Sequence, residues 1–220
     1  YFILGSIASA IILYGISMTY SITGTTNYNL IKEFSFTDKN TLIFSFGLIL
    51  ILSGMAFKLS AAPFHMWTPD VYEGSPSSVT TILITIPKVV VFVALVKLLN
   101  EPFFYFKNLW QQIIIIIIVL SMAVGSIAAL RQENIKRLFA YGTIANIGYV
   151  LIGVISNSNQ GLSSSILYLV IYTIASLGIF SFIMMCRKEN SQVVHLQGLV
   201  GLSQSNSFAA ICMVMLLLSM

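Results

Sequence analysis

Apolar residues dominate six long stretches of the chain, and short polar stretches separate them. Each stretch has roughly the 17–25 residues that an α-helix needs to cross a membrane. A seventh apolar run, at residues 208–220, is shorter than a full span. The pattern predicts an all-α fold, a polytopic transmembrane helix bundle. The predicted spans are residues 1–20, 41–57, 76–96, 109–130, 138–155 and 167–186.

The stretch Lys58–Gly74 interrupts this pattern. It contains Pro63 and Pro69, and proline removes a backbone donor and disfavours helix at the residue before it. Interrupted backbone at membrane depth is tolerated where it is buried in protein or lines water. We therefore predict a discontinuous helix near Lys58–Gly74.

Composition excludes an ordinary soluble domain. The chain has 220 residues, of which 57% are hydrophobic and only 8% are charged, whereas soluble domains carry about 25% charged residues. The net charge of +4 is spread over the loops, which points to the lipid bilayer as partner and not to nucleic acid. We predict one membrane domain over residues 1–220, with about six spans and a partial seventh. Because apolar runs reach both termini, we expect a domain that is incomplete at both ends.

Lys88 lies in the middle of the third predicted span. Counting from Pro76 at ~1.5 Å per residue puts it about 18 Å into the helix, near the middle of a ~30 Å hydrocarbon core. A lysine at this depth is costly, so it normally faces protein or a water-filled cavity. One interpretation is a packing role with hydrogen bonds to neighbouring helices. The favoured interpretation is a protonatable site on a hydrated path.

Two further bases lie at the interruption. Lys58 ends the second predicted span, where a lysine is either a snorkelling anchor or a base buried at the break. His65 follows the break, and a lone histidine is often a core residue, although beside two lysines a proton relay is plausible. We take Lys58, Lys88 and His65 as the candidate proton path.

The other polar residues carry weaker signals. Asp70 and Glu73 are three residues apart and would share a helix face, either as a paired acid site or, the favoured interpretation, as solvated ends of a short segment. Lys136 and Arg137 are typical of an interfacial anchor. His195 lies in a polar loop and indicates no function.

No pattern predicts a cofactor or metal site in this chain. A phosphate loop, a metal-ligand cluster, a CxxC pair and a haem motif are all absent from the sequence. Cys186 and Cys212 lie in or at the ends of apolar segments, so we predict two buried apolar residues. The aromatic residues 103–106 and Trp110 predict a membrane-interface belt. If the chain belongs to an oxidoreductase, it moves ions and not electrons.

Two motifs carry a family resemblance. Residues 58–76 read Lys-Leu-Ser-Ala-Ala-Pro-Phe-His-Met-Trp-Thr-Pro-Asp-Val-Tyr-Glu-Gly-Ser-Pro, and Lys88 follows. Residues 131–149 read Arg-Gln-Glu-Asn-Ile-Lys-Arg-Leu-Phe-Ala-Tyr-Gly-Thr-Ile-Ala-Asn-Ile-Gly-Tyr. Both resemble the proton-translocating, antiporter-like subunits of respiratory complex I. The sequence of Trp67–Gly74 resembles subunit 2 in particular. Subunits 4 and 5 and the multisubunit cation/proton antiporters have a different sequence after the tryptophan.

The resemblance implies roles for the candidate residues. The spans would correspond to the sixth to eleventh helices of the family and the start of the twelfth. Lys58 would be the lysine at the discontinuous seventh helix, Lys88 the central lysine of the next helix, and His65 the histidine that bridges them. The family's glutamate partner of the first lysine would precede Tyr1, and its output-side lysine would follow Met220.

The resemblance also implies a function. The chain would be a membrane-arm subunit of the proton-pumping NADH:quinone oxidoreductase, with NADH, FMN, iron–sulfur clusters and quinone bound by other subunits. Expected partners are other membrane-arm subunits, the bilayer and a second chain that supplies the missing helices. The amino-acid composition is rich in Ile, Phe, Tyr and Asn, which is typical of an AT-rich organellar gene. It therefore favours the mitochondrial inner membrane over a bacterial inner membrane or a plastid thylakoid. Asn146 stands where some relatives have histidine, so no proton role is expected there.

Two alternatives remain open at this point. The chain could be a subunit of a multisubunit cation/proton antiporter that works without NADH. It could also be a structural membrane subunit that spaces its neighbours and pumps nothing.

Overall fold

The computed structural model describes residues 1–34, 38–185, 187–188, 191–192, 195–201, 204 and 207–219. Within these residues, six helices are long and apolar enough to cross a membrane, which confirms the predicted all-α bundle. The long helices are α1 (Phe2–Thr23), α3 (Asp38–Leu59), α5 (Ser77–Asn100), α6 (Lys107–Ala129), α7 (Ile135–Ile155) and α8 (Asn159–Met185). The shorter elements are α2 (Tyr28–Lys32), α4 (Trp67–Gly74), α9 (Ser207–Leu218), two 3₁₀ turns (Phe104–Phe106 and Leu196–Leu199) and the antiparallel pair β1 (Arg187–Lys188) and β2 (Ser191–Gln192).

The sixth span begins earlier than predicted. Helix α8 starts at Asn159, inside a polar run that its composition assigns to a loop. Ser158 caps this helix, since its hydroxyl accepts a hydrogen bond from the Gly161 N–H at 3.0 Å. The Ser163 hydroxyl donates to the Asn159 carbonyl one turn earlier at 2.8 Å. Polar serines therefore extend the helix, and predicting a loop there was wrong. Cys186, the predicted end of this span, lies outside the described residues.

Glycines allow two helix pairs to approach closely. Helix α1 packs on α3, and α6 packs on α7. A Cβ atom on Gly15 would lie 2.7 Å from the Gly47 carbonyl oxygen, and one on Gly125 would lie 2.6 Å from the Ala145 amide nitrogen. Small residues at such crossings let helix backbones pack closely in a membrane. Helix α7 in turn packs against α4 and α8, so the α6–α7 pair supports the interrupted segment.

The predicted discontinuity is confirmed at residues 60–66, between α3 and α4, and we call these residues the break. Helix α3 ends in a Schellman motif: the Ala61 N–H donates to the Ala56 carbonyl at 2.9 Å and the Ser60 N–H to the Phe57 carbonyl at 3.0 Å. Ser60 takes the left-handed conformation that this motif requires, with φ of 63°. The cause of the interruption is therefore a regular helix end followed by Pro63.

Hydrogen bonds fix the break against its neighbours. The Ala62 N–H donates to the hydroxyl of Ser121 on α6 at 2.8 Å, and both residues are buried. The indole N–H of Trp67, at the start of α4, donates to the Phe57 carbonyl at 3.0 Å. The first bond satisfies a backbone N–H that the interruption would otherwise leave unpaired, and the second joins the start of α4 to the end of α3. The first part of the break, Ser60–Ala62, is thus buried in protein, whereas Pro63, Phe64 and Met66 are exposed.

Candidate functional site

Lys88 is fully buried, with 0% of its surface exposed. Its ammonium donates to the Ser60 hydroxyl and to the Lys58 carbonyl oxygen, the latter at 3.4 Å. It also lies 5.4 Å from the centre of the Trp67 ring, within the range of a cation–π contact. The tip of Lys88 therefore has polar partners within the protein and does not face lipid tails.

The broken end of α3 offsets part of the cost of burying an ammonium here. The last four carbonyls of a helix lack intrahelical donors, and together they carry a partial negative charge. The Lys58 carbonyl is one of these groups, and Lys88 donates to it. A cation at such an end contributes up to about 2 kcal/mol in a partly buried geometry. The interruption and the buried lysine thus form one site.

The side chains of Lys58 and His65 have fewer described hydrogen-bond partners than the side chain of Lys88. The Lys58 side chain is half-buried and makes no hydrogen bond or ion pair with any residue that the structure describes. His65 lies in the break, where its Nδ1 is buried without a hydrogen-bond partner in the described part of the chain. No described hydrogen bond joins His65 to either lysine, so its bridging role stays a prediction.

A series of buried hydroxyl groups, which we did not predict, continues from this site. Tyr72 on α4 is fully buried, and its hydroxyl makes polar side-chain contacts with Ser60 and Thr143. Tyr172 on α8 donates to the Thr143 hydroxyl at 2.8 Å. We call Ser60, Tyr72, Thr143 and Tyr172 the hydroxyl chain. It connects the break to α7 and α8.

Pro87 explains one further contact of Tyr72. This proline lies inside α5, and because it has no N–H it cannot bond the carbonyl four residues earlier. That carbonyl belongs to Leu83, and it accepts a hydrogen bond from the Tyr72 hydroxyl at 3.4 Å. Tyr72 thus satisfies the Leu83 carbonyl that Pro87 leaves unpaired. Pro87 directly precedes Lys88 on α5.

Asn146 belongs to a polar pair between α7 and α8. Its side-chain oxygen accepts a hydrogen bond from the Tyr168 hydroxyl at 2.6 Å. Thr143 and Asn146 are three residues apart, and Tyr168 and Tyr172 are four apart, so each pair shares one helix face. Polar side chains at helical spacing within apolar spans are the sequence signal that could have revealed this interface.

The acidic pair is solvated, as the favoured interpretation predicted. Arg137 contacts Asp70 at 3.2 Å and Glu73 at 2.7 Å, and the Asp70 side chain is 74% exposed. The Asn134 side-chain amide also donates to Glu73 at 2.9 Å. These bonds join the end of α4 to the start of α7. Among the described residues, no group of three or more His, Cys, Asp or Glu side chains is arranged to hold a metal ion.

The comparisons with known proteins identify the family. The family described as NADH:quinone oxidoreductase/Mrp antiporter, TM matches residues 1–220. The chain belongs to this family. It is 44% identical to NADH-quinone oxidoreductase subunit N 1 of Rhizobium meliloti over 221 residues, which cover 100% of this chain and 46% of that protein. It is 38% identical to subunit N of Ruthia magnifica subsp. Calyptogena magnifica over 224 residues, again covering 100% and 46%.

Solved structures agree with this family membership. A chain of respiratory complex I from Thermus thermophilus with bound aureothin is 31% identical, with a TM-score of 0.77 and coverage of 99% of this chain and 47% of that one. A chain of an archaeal membrane-bound sulfane sulfur reductase, at 22% identity, has a TM-score of 0.85 over 98% of this chain and 44% of that chain, which shows the fold alone.

The resemblance to the antiporter-like subunits of complex I is therefore confirmed, as is a multi-pass membrane architecture. The chain spans about half the length of the family members that it matches.

Proposed function

We propose that this chain is a membrane-arm subunit of a proton-pumping NADH:quinone oxidoreductase and carries the middle of a proton path. The observation that carries the proposal is the fully buried ammonium of Lys88, bound at the broken end of α3. An ionisable group inside a membrane protein is costly and generally serves transport. The relatives named as subunit N of NADH-quinone oxidoreductase support the same assignment.

The proposed mechanism is electrostatic. A neighbouring charge changes the protonation of Lys58, and the proton then passes by way of His65 and water to Lys88. Charges interact more strongly in a low-dielectric site than in bulk water, so the protonation of one base changes the energy of the next. Lys88 fits the central position, because its ammonium contacts the backbone of Lys58. His65 fits the bridging position, since its buried Nδ1 has no described protein partner and is free to bond a water.

The remaining components belong to other chains in this proposal. NADH, FMN, iron–sulfur clusters and quinone are bound elsewhere, and a second chain or further sequence completes the helix bundle. The proposed partners are the other membrane-arm subunits and the lipid bilayer. The amino-acid composition, rich in Ile, Phe, Tyr and Asn, favours the mitochondrial inner membrane. The bacterial relatives make a bacterial inner membrane the main alternative.

Reconstitution of the complete complex tests the proposed function. We expect vesicles that contain it to accumulate protons when NADH and a quinone are supplied, and to show no proton movement driven by a Na⁺ or K⁺ gradient alone. The matched control is the same preparation from cells that lack this chain. Cation-driven proton exchange without NADH would instead support the antiporter alternative.

A Lys58→Met variant separates pumping from a structural role. Methionine keeps an unbranched side chain of similar length but cannot carry a proton, so we expect fewer protons pumped per NADH at normal assembly. Lys107→Met, at the start of α6 and away from the break, is the control and should pump normally. Unchanged coupling in the Lys58 variant would favour a subunit that only spaces its neighbours.

A further inference from the structure

The hydroxyl chain begins at the group that binds Lys88. The Ser60 hydroxyl accepts the hydrogen bond of the Lys88 ammonium, and the Tyr72 hydroxyl contacts Ser60 and donates to the Leu83 carbonyl at 3.4 Å. All three residues are fully buried. We propose that Ser60 and Tyr72 are positioning residues for proton transfer at Lys88, which hold its ammonium against the end of α3 and respond to its charge. This inference rests on the proposed function of Lys88.

The contacts of the ammonium match its bonding capacity. A lysine ammonium has three N–H donors and no acceptor. Its three described partners are the Ser60 hydroxyl, the Lys58 carbonyl and the face of the Trp67 ring. Ser60 is the one among them whose hydrogen bond can reverse direction, because a hydroxyl both donates and accepts whereas a carbonyl and a ring face only accept.

Loss of the Lys88 proton should therefore reorient the hydroxyl groups. When Lys88 is charged, it donates to Ser60, and the Ser60 O–H is available to donate towards Tyr72. When Lys88 is neutral, its nitrogen can accept the Ser60 O–H, and Tyr72 can donate to Ser60 in place of the Leu83 carbonyl. Only hydroxyl rotations are involved, and no bond between heavy atoms changes. Hydrogen-bonded hydroxyls polarise one another in a low-dielectric site, so these orientations are coupled.

The same geometry argues against proton conduction along the hydroxyl chain. Thr143 accepts from Tyr172 at 2.8 Å, while its own hydroxyl donates to the Phe139 carbonyl at 2.8 Å. The Thr143 hydroxyl proton is therefore used in a hydrogen bond to the backbone of α7 and is not available to a neighbouring hydroxyl. Ser60 and Tyr72 thus act through Lys88, and the transferred proton leaves Lys88 by another route.

Two variants remove the hydroxyls with little disturbance of the fold. Ser60 has a positive φ of 63°, a conformation that glycine adopts without strain, so Ser60→Gly preserves the helix end. Tyr72→Phe preserves the buried ring. Loss of one hydrogen bond to a charged group typically changes an equilibrium by about tenfold or more. We expect Ser60→Gly in the complete complex to lower the rate of NADH-driven pumping by about tenfold, and Tyr72→Phe to lower it less.

The control variants remove comparable hydroxyls elsewhere. Ser165 is buried and donates to the Val150 carbonyl at 2.7 Å, and Tyr149 is exposed. Ser165→Ala and Tyr149→Phe should pump normally. A second readout is the solvent deuterium isotope effect on pumping, which should rise in Ser60→Gly as proton transfer at Lys88 becomes rate-limiting. A purely structural defect lowers the amount of assembled complex and leaves this isotope effect unchanged.

A Lys88→Met variant in the same membranes separates the two proposals. If Lys88→Met fails to pump while Ser60→Gly and Tyr72→Phe pump like the wild type, the positioning role is overturned and the proposed function stands. If Lys88→Met itself pumps normally, both proposals are overturned. Equal losses in the control variants would also overturn the positioning role.

Discussion

Replacing Lys88 with methionine is expected to leave the proposed NADH:quinone oxidoreductase complex assembled and to lower the protons pumped per NADH oxidised. A positioned proton-transfer group contributes about a hundredfold or more to the rate of its step, so transfer through this chain should fall by at least that factor. Methionine fills the space of the lysine stem. The Ser60 hydroxyl and the Lys58 carbonyl lose a donor, which costs about 1–3 kcal/mol. Removing the ammonium also removes the desolvation cost of burying a charge, which offsets this loss.

A second lysine on the same helix gives a matched control. Lys97 lies near the end of α5, is exposed, and its ammonium is 5.8 Å from the centre of the Tyr28 ring. Lys97→Met removes the same charge from the same helix without touching the break, so it should pump normally. Protons per NADH and the amount of assembled complex are measured together on both variants. Normal coupling in fully assembled Lys88→Met would remove Lys88 from the path.

Gly125→Ala is expected to reduce the amount of assembled complex strongly. The added Cβ would lie 2.6 Å from the Ala145 amide nitrogen and 2.8 Å from the Tyr141 carbonyl oxygen, both of which are backbone atoms of α7. Backbone cannot yield as a side chain does, so α6 and α7 must move apart, at a typical cost of about 1–3 kcal/mol. Helix α6 also carries Ser121, which holds the Ala62 amide of the break. Native gels and thermal unfolding of the complex check this expectation.

The control for this variant lies on the facing helix. A Cβ on Gly142 of α7 would meet nothing within 4 Å, and alanine is more favourable than glycine within a helix by up to about 1 kcal/mol. Gly142→Ala should therefore assemble as well as the wild type. If Gly125→Ala also assembles normally, the close contact between α6 and α7 is not needed for the fold.

The sequence predicted the parts of this molecule that depend on local chemistry. The six spans follow from hydrophobic length, and the break follows from Pro63 and the polar residues around it. The burial of Lys88 in protein follows from the cost of exposing a lysine to lipid in the middle of an apolar span. The start of α8 was missed because serine satisfies its hydroxyl within a helix by bonding the preceding turn, so a polar run there does not have to be a loop.

The hydroxyl chain could not be predicted in the same way. Ser60 reaches Lys88 across 28 residues, and Tyr172 reaches Thr143 across 29. These contacts depend on how α3, α5, α7 and α8 cross, and hydrophobic periodicity does not determine the crossing. Ser60 lies within the motif at residues 58–76, but its contact with Lys88 follows from its position at the end of α3, which only the structure reveals.

An experimental density map of the assembled complex, at a resolution that shows ordered water, tests the central claim most directly. We predict that the Lys88 ammonium lies within hydrogen-bonding distance of Ser60 and the Lys58 carbonyl, with water linking it towards Lys58 and His65. A Lys88 side chain that points into lipid, or that ends in an apolar pocket without polar neighbours, would contradict the account.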